Sequence, residues 1–190
     1  MKKNNIVFTF ATAEVSAIGQ FFIKVTELFT GKLKLKKLYD EYLSEDRPPQ
    51  FFWDDAVEKL KLTLITNFQD GSYIPKKGKV IVIANHAFGV ADGVSICSMI
   101  SKVRQDYKMV THKVLRQADA VKDKILPIDF NGTKEALLTN INTRKEAEKF
   151  LNNEGVIVLF PSGRIATKKN LKKYTKADDG EWKQWVSKLI

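Results

Sequence analysis

The sequence is short of the side chains that form cross-links and most zinc sites. Its 190 residues include one cysteine, Cys97, and two histidines, His86 and His112. A single cysteine excludes an intramolecular disulfide, which is consistent with a reducing compartment. Three cysteine and histidine residues are also too few for the usual four-ligand zinc site, so we predict that no metal is bound.

Long apolar runs are absent as well. A helix needs about 18 to 20 consecutive apolar residues to cross a bilayer. The nearest candidate, residues 6–25, is interrupted by Glu14, Gln20 and Lys24. The first residues are polar, with neither a continuous apolar stretch nor a small-residue cleavage site behind them. We therefore predict neither a membrane-spanning helix nor a secretory signal.

Acidic side chains are outnumbered by basic ones, 22 to 32, which gives a net charge of +10. Such an excess favours anionic partners: nucleic acid, acidic lipid headgroups or phosphate-bearing substrates. Nucleic acid is not expected, because no strand-like run alternates aromatic residues with lysine or arginine in the way a base-stacking surface requires. A hydrophobic fraction of 44% over this length is enough for a folded domain with a core.

From residue 80 onward, strand-like apolar runs alternate with helical patterns, in the order 80–84, 94–103, 107–111, 134–152 and 156–160. This alternation predicts an α/β fold with a mostly parallel central sheet flanked by helices. The run at 80–84 predicts a strand buried on both faces, and the run at 156–160 predicts a central strand. In the helix 134–152, the predicted buried residues are Ala136, Leu137, Ile141, Ala147, Phe150 and Leu151.

Two parts are predicted: an N-terminal helical segment, residues 1–75, and an α/β core, residues 76–190. Apolar residues at 15–29 recur every three or four positions, which predicts a helix that either packs on the domain or inserts among lipid headgroups. The core ends in an amphipathic helical pattern at 182–190 with no strand after it. We therefore predict a sheet that is incomplete on its C-terminal side and a chain that is part of something longer.

A polar pair and a small-residue turn follow the first strand of the core, with the sequence Asn-His-Ala-Phe-Gly-Val-Ala-Asp-Gly at 85–93. The strand brings His86 to the carboxyl edge of the sheet, and the start of the next helix brings Asp92 there. Ligands bind at this edge in open α/β sheets. A histidine beside a carboxylate can act as a general base near neutral pH. The structural alternative is that Asp92 only caps the helix and His86 only satisfies backbone groups.

A second polar turn follows the last strand, with the sequence Phe-Pro-Ser-Gly-Arg at 160–164. Gly163 lets the backbone approach a ligand, and the Arg164 guanidinium can bind phosphate or carboxylate. Because both turns follow strands of one predicted parallel sheet, we expect them at the same edge. The lysines at 168–176 have no acidic residue among them. They are either a solvated surface or a basic segment that attracts anionic lipid.

Taken together, these residues resemble the glycerolipid acyltransferase family. The resemblance rests on the His86 and Asp92 turn followed by the turn at 160–164, and it extends over residues 15–190. Further segments are similar to the bacterial hemolysin-like or ornithine-lipid acyltransferase branch, at 28–31, 38–42 and 51–53. Five residues separate His86 from Asp92, one more than is usual in the family, and that branch shares this longer spacing.

The resemblance implies an O-acyltransferase, peripheral on the cytoplasmic face of an anionic membrane and needing no cofactor. Its donor would be acyl-CoA or acyl carrier protein, and its acceptor the hydroxyl of a lysolipid, either a lyso-ornithine lipid or a lysophospholipid. His86 would be the general base and Asp92 its orienting partner. Turn amides near Gly89 or Gly163 would stabilise the oxyanion, and the acceptor would be bound by Ser162, Gly163 and Arg164.

Two departures from the family pattern leave other functions open. The third motif of the family is usually Phe-Pro-Glu-Gly-Thr-Arg, whereas here Ser162 replaces the glutamate and Arg164 comes one position early. The last motif, a strand followed by proline, has no counterpart before Ile190. The alternatives are a lysophosphatidic acid acyltransferase of phospholipid synthesis and a non-catalytic module that binds anionic lipid.

Overall fold

The computed structural model describes residues 32–67, 73–168, 176–184 and 187. The helical pattern at 15–29 and most of the basic run at 168–176 lie outside them. The helices are α1 (Lys32–Ser44), α2 (Phe52–Lys59), α3 (Val90–Ser101) and α4 (Lys134–Asn152). The strands are β1 (Val80–Ile83), β2 (Tyr107–His112), β3 (Ile125–Ile128) and β4 (Val156–Leu159). Short 3₁₀ turns span Pro49–Phe51, Lys113–Gln117 and Lys122–Lys124.

The four strands form one open parallel sheet in the order β1-β4-β2-β3. The predicted fold class, α/β with a parallel sheet flanked by helices, is therefore confirmed. Because every pair is parallel, all four carboxyl ends lie at one edge of the sheet. That edge receives the residues that end or follow the strands: the His86 turn after β1, Phe160 after β4, His112 at the end of β2 and Asp129 after β3.

The two most similar strands occupy opposite positions in the sheet. β4 is central, and all four of its residues are buried. Within the described part of the chain, β1 is an edge strand paired only with β4; none of its residues is buried, and Ile83 is 46% exposed. The prediction of a central strand at 156–160 is confirmed, and the prediction that the run at 80–84 is buried on both faces is wrong. Among the residues that the structure describes, β1 has a neighbouring strand on one side, and its side chains are only partly covered.

Helix α4 has the predicted bounds, and the prediction of its buried residues is confirmed for Ala136, Ala147 and Leu151 and wrong for two others. Its buried residues are Ala136, Thr143, Ala147 and Leu151. Leu137 and Ile141 were expected in the core, and both are exposed. Two polar contacts also join the helix to β3 and the residue after it: the Thr143 hydroxyl donates to the Pro127 carbonyl at 2.6 Å, and the Asn140 side chain donates to the Asp129 carbonyl at 2.8 Å. Polar side chains therefore share the inner face of α4 with Ala136, Ala147 and Leu151.

The helices before the sheet brace the start of α3. Tyr39, Tyr42 and Trp53 share one core cluster with Val94 and Cys97 of α3. Cys97 is fully buried, and burial raises the pKa of its thiol to about 12, as expected of a core residue. Among the described residues, no helix combines the length and hydropathy needed to cross a membrane.

A buried arginine fixes the opposite, amino edge of the sheet. The Arg104 guanidinium donates to the carbonyls of Pro75, Gly78 and Glu154 and to the carboxylate of Asp106. These acceptors precede β1, β4 and β2, so one side chain ties together the starts of three strands. The guanidinium hydrogen bonds hold the pKa of the Asp106 carboxyl below its usual value, although partial burial opposes the shift. The fixed starts keep the carboxyl ends in register.

Candidate active site

The imidazole of His86 lies against the neighbouring strand. His86 follows β1 by three residues, and its ring stacks on that of Phe160, which directly follows β4. The ring centroids are 4.1 Å apart and the planes differ by 21°. Because β1 and β4 are adjacent in the sheet, the two rings meet at the carboxyl edge. The stacking limits rotation of the imidazole.

A single carboxylate oxygen of Asp92 holds both the imidazole and the turn. The Asp92 Oδ2 atom is 3.0 Å from His86 Nδ1 and accepts the Phe88 backbone N–H at 2.8 Å. Since a carboxylate only accepts hydrogen bonds, the contact favours the neutral tautomer that has its proton on Nδ1 and its lone pair on Nε2. The side chains of His86 and Asp92 are 19% and 15% exposed, so the pair is shielded but reachable. Asp92 therefore fixes the turn and orients the ring at once.

Glycine is required at the start of α3 for two reasons. Gly89 has φ of 62° and ψ of −121°, a conformation almost restricted to glycine. A Cβ atom there would also lie 3.0 Å from Cδ1 of Ile165. Ile165 belongs to the segment after β4, so the close approach at Gly89 brings the His86 turn and the second polar turn together.

The second polar turn lies at the same edge and is bonded to the first. The Ala166 N–H donates to the His86 carbonyl at 2.6 Å. Gly163 has φ of 66°, which favours glycine. Ser162 is buried, and its hydroxyl donates to the Arg164 carbonyl at 2.9 Å, so this side chain shapes the turn. Contact of Ser162 or Gly163 with an acceptor stays a prediction.

Arg164, the last residue of the second polar turn, is exposed and makes no direct hydrogen bond to His86 or Asp92. Its guanidinium lies across Gly180, where a Cβ atom would collide with the Nη2, Nε and Cζ atoms of Arg164. Gly180 follows Asp179, which is bonded to His86. The structure thus connects Arg164 to the histidine turn through residues 179–180.

Asp179 is a site residue that the sequence did not reveal. Its Oδ1 accepts the His86 backbone N–H at 2.7 Å, and its Oδ2 accepts the indole N–H of Trp182 at 2.9 Å. An antiparallel bridge between Thr167 and Asp178 positions this segment. Residues 182–184 are irregular, so the predicted terminal helix is wrong there, and 185, 186 and 188–190 lie outside the described residues.

The other histidine of the chain belongs to a separate cluster at the ends of β2 and β3. His112 Nδ1 accepts the Val114 N–H at 3.1 Å, and its ring stacks on Phe130. Burial lowers the pKa of His112. Asp129 accepts hydrogen bonds from Lys113 at 2.5 Å and from a backbone N–H; these lower the pKa of its carboxyl although burial alone raises it. The contacts support a structural role for His112.

The family model for the acyltransferases matches residues 65–180, which is more than half of the chain and includes both turns and Asp179. The chain belongs to the glycerolipid acyltransferase family. Its enzyme class is therefore that of a transferase that moves acyl groups. No curated protein and no solved structure matches the chain. Among the described residues of this acyltransferase, no group of three or more histidine, cysteine, aspartate or glutamate side chains is placed to hold a metal ion.

Proposed function

We propose that this acyltransferase moves a fatty acyl group from acyl-CoA or acyl carrier protein to the hydroxyl of a lysolipid, with His86 as general base. The observation that supports it most directly is the 3.0 Å contact of His86 Nδ1 with Asp92 at the carboxyl edge of the sheet. The contact leaves Nε2 as the basic atom, and the Asp92 carboxylate stabilises the imidazolium that forms when Nε2 takes a proton.

The chemistry is a direct displacement at the thioester. His86 Nε2 takes the proton of the acceptor hydroxyl while that oxygen attacks the thioester carbonyl carbon. The tetrahedral intermediate collapses, the carbon–sulfur bond breaks, and the thiolate takes the proton back from the imidazolium. The products are an ester and a free thiol, and no acyl-enzyme is formed. Neither a metal nor an oxidant takes part.

Two sets of backbone amides could stabilise the oxyanion, those near Gly89 at the start of α3 and those near Gly163. The amides near Gly89 are the better placed. The Gly163 N–H already donates to the Phe160 carbonyl at 3.0 Å. By contrast, the first N–H groups of a helix have no partner within the helix, and they lie at the positive end of its dipole. Gly89 is the N-cap of α3 and Val90 is its first residue, and both lie within four residues of His86. We therefore assign the oxyanion to the Gly89 side of the site.

The acceptor is proposed to present its anionic headgroup to Arg164. A guanidinium binds either the phosphate of a lysophospholipid or the carboxylate of a lyso-ornithine lipid. A second cation is close, since Lys183 Nζ is 3.8 Å from the position that a Cβ atom on Gly163 would occupy. The enzyme would act at the cytoplasmic face of an anionic membrane, where the acceptor resides.

Replacing Arg164 with alanine should weaken binding of the acceptor without affecting binding of the donor. A hydrogen bond to a charged group contributes about 1.5 to 3 kcal/mol, so we expect the acceptor KM to rise about 10- to 100-fold, with the donor KM unchanged. Steady-state kinetics with each substrate varied in turn measures this. The matched control is Arg144→Ala, which removes a surface arginine paired with Glu148 on α4. Equal acceptor KM values for the two variants would remove Arg164 from headgroup binding.

Replacing Asp179 with alanine should lower kcat about 10- to 100-fold, because small displacements of a catalytic group reduce rates by this order. Substrate KM values should stay near wild type, since Asp179 acts through His86 as a positioning residue. Asp179→Asn keeps an oxygen that can accept the His86 N–H, and it should recover most of the rate. Trp182→Phe removes only the indole contact; if it reproduces the loss, the effect arises from Trp182.

The function itself is tested by incubating the protein with radiolabelled acyl donor and vesicles that contain one lysolipid at a time, followed by lipid separation. Labelled diacyl product that depends on His86 supports the proposal. Parallel assays with lyso-ornithine lipid, lysophosphatidic acid and another lysophospholipid show which acceptor gives labelled product. A non-catalytic lipid-binding module would bind the same vesicles and transfer no label.

A further inference from the structure

The Arg164 guanidinium is supported by a segment outside its own turn. It lies across Gly180, where a Cβ atom would come within 2.6 Å of Arg164 Nε and 2.7 Å of Cζ. Non-bonded atoms do not approach this closely, so only glycine, which has no Cβ, leaves room for the guanidinium here. Among the described residues, Arg164 has no ion-pair partner, so the N–H groups of its guanidinium can bind an anion.

Arg164 begins from a different point of the backbone than the arginine of the usual family motif. It comes one position early, and neighbouring Cα atoms are about 3.8 Å apart. The long arginine side chain has many rotamers, and ordering it costs entropy. A contact outside the turn that limits these rotamers therefore decides where the guanidinium stays, and Gly180 makes that contact.

The segment that contains Gly180 also holds the histidine turn. Asp179 Oδ1 accepts the His86 backbone N–H at 2.7 Å. The Gly180 N–H donates to Asp178 Oδ1 at 2.9 Å, and the antiparallel bridge at Asp178 fixes the segment to the chain after β4. We call residues 178–180 the spacer, because position 179 contacts the histidine turn and position 180 contacts the guanidinium.

We propose that the spacer fixes the distance between His86 and the Arg164 guanidinium, and thereby selects acceptors by the distance between their hydroxyl and their anionic headgroup. This rests on the proposed function in one respect, that Arg164 binds the headgroup. Gly180 is then a positioning residue for acceptor specificity, which acts through Arg164 and does not touch the acceptor. Asp179, its neighbour in the spacer, acts through His86. Substitution at position 180 should therefore change the acceptor KM, whereas substitution at position 179 changes kcat.

The first test is Gly180→Ala, assayed by steady-state kinetics with lysophosphatidic acid as the acceptor. The acceptor KM should rise about tenfold, as for loss of a hydrogen bond to a charged group, with kcat near wild type. The fold should survive, because the new methyl meets the far end of a flexible side chain, so Arg164 moves and the backbone does not. Monoacylglycerol has an acceptor hydroxyl and no anionic group, so its KM should stay unchanged.

Gly78→Ala is the matched control. Gly78 has φ of 83° and Gly180 has φ of 80°, so alanine meets a similar backbone cost at both positions. A Cβ atom on Gly78 has no heavy atom within 4 Å, so the control adds a methyl without displacing a side chain. Gly78→Ala should keep the wild-type acceptor KM. Equal acceptor KM values for the two variants would overturn the proposal.

Selection by distance is tested with two acceptors of different shape. In lysophosphatidic acid the phosphate and the hydroxyl are on neighbouring carbons of the glycerol, whereas in a lyso-ornithine lipid an amide separates the carboxylate from the hydroxyl. The wild type should prefer one of the two by about tenfold in kcat/KM. Gly180→Ala should lose that preference, because the displaced guanidinium no longer defines the distance. Equal kcat/KM values in the wild type, or an unchanged preference in Gly180→Ala, would overturn the selection.

A double variant tests whether Gly180 acts through Arg164. Arg164→Ala with Gly180→Ala should have the acceptor KM of Arg164→Ala alone, because the new methyl then displaces nothing. A further rise in KM would show another route and overturn the proposal. Calorimetric binding of short-chain lysophosphatidic acid to His86→Ala protein gives a readout without catalysis. Adding Gly180→Ala to that protein should weaken binding about tenfold.

The outcomes separate this proposal from the headgroup role on which it rests. If Arg164→Ala leaves the acceptor KM unchanged, Arg164 does not bind the headgroup, and the spacer proposal fails with that role. If Arg164→Ala raises the acceptor KM and Gly180→Ala does not, the headgroup role stands and only the positioning by Gly180 is overturned.

Discussion

Replacing His86 with alanine is expected to lower the rate of acyl transfer by about 100- to 10,000-fold, the usual contribution of a general base. The acceptor hydroxyl is a weak nucleophile, and Nε2 of His86 is the basic atom that the Asp92 contact leaves available. The fold should survive, because the variant keeps the two backbone hydrogen bonds of His86, to Asp179 and from Ala166. It loses only the side-chain contact to Asp92 and the ring stacking on Phe160, the latter worth about 1 kcal/mol. Single-turnover transfer of a labelled acyl group measures the effect.

The other histidine provides the matched control. His112 ends β2 at the same edge, and in His112→Asn the side-chain oxygen can still accept the Val114 N–H. We expect that variant to retain most of the activity. Added imidazole should restore part of the rate of His86→Ala, because the small molecule can occupy the vacated position and take the proton. A folded His86→Ala protein with wild-type activity would show that another group is the base.

The sequence was sufficient for the fold class and for helix α4 because local signals agree there. Strands and helices alternate from residue 80 onward. At the start of α4, the Thr133 hydroxyl accepts the Ala136 N–H as an N-cap, and at its end Glu154 turns with a positive φ of 63°. Both ends are fixed by neighbouring residues, so the predicted bounds coincide with the observed ones.

The sequence predicted the central position of β4 correctly but did not distinguish β1 from it. β1 and β4 read Val-Ile-Val-Ile and Val-Ile-Val-Leu, and a strand's own residues do not say how many neighbours it has. The sheet order decides this: β4 lies between β1 and β2, whereas β1 pairs with β4 alone among the strands of the described residues. The same apolar pattern therefore accompanies full burial in one strand and partial exposure in the other.

The error in the inner face of α4 also involves groups outside the helix. Apolar periodicity places Leu137 and Ile141 in the core, but the face that meets the sheet includes Thr143 and Asn140 beside Ala136, Ala147 and Leu151. These two polar side chains donate hydrogen bonds to the carbonyls of Pro127 and Asp129. An unsatisfied buried carbonyl costs about 1 to 3 kcal/mol, comparable to the gain from burying one leucine.

Only some residues of the candidate site could be predicted from the sequence. His86 and Asp92 are six residues apart, so one strand and one helix start are enough to bring them together. Asp179 lies 93 positions from His86 in the sequence and belongs to an irregular segment. No spacing or periodicity in the sequence predicts its contact with His86. The function of a turn can thus be predicted from its own residues, whereas the residues that hold it in place become visible only in the fold.

Replacing Asp92 with asparagine is expected to lower kcat by about 100- to 10,000-fold with small changes in KM, by analogy with the orienting aspartate of a serine-protease triad. The amide loses the negative charge that stabilises the imidazolium, and an amide N–H directed at Nδ1 would move the histidine proton to Nε2, which then cannot accept.

Asp54→Asn is the control for Asp92→Asn, since Asp54 accepts a hydrogen bond from Ser98 of the same helix at 2.5 Å, away from the site. That variant should keep wild-type kcat. Asp92→Ala separates orientation from the turn, because it also frees the Phe88 N–H, so it should lose about 1 kcal/mol of stability in addition to the rate. Thermal unfolding and kinetics of the three variants together test this. If Asp92→Asn keeps wild-type kcat, Asp92 only holds the turn through the Phe88 N–H, and the paired-base mechanism fails even where His86 is essential.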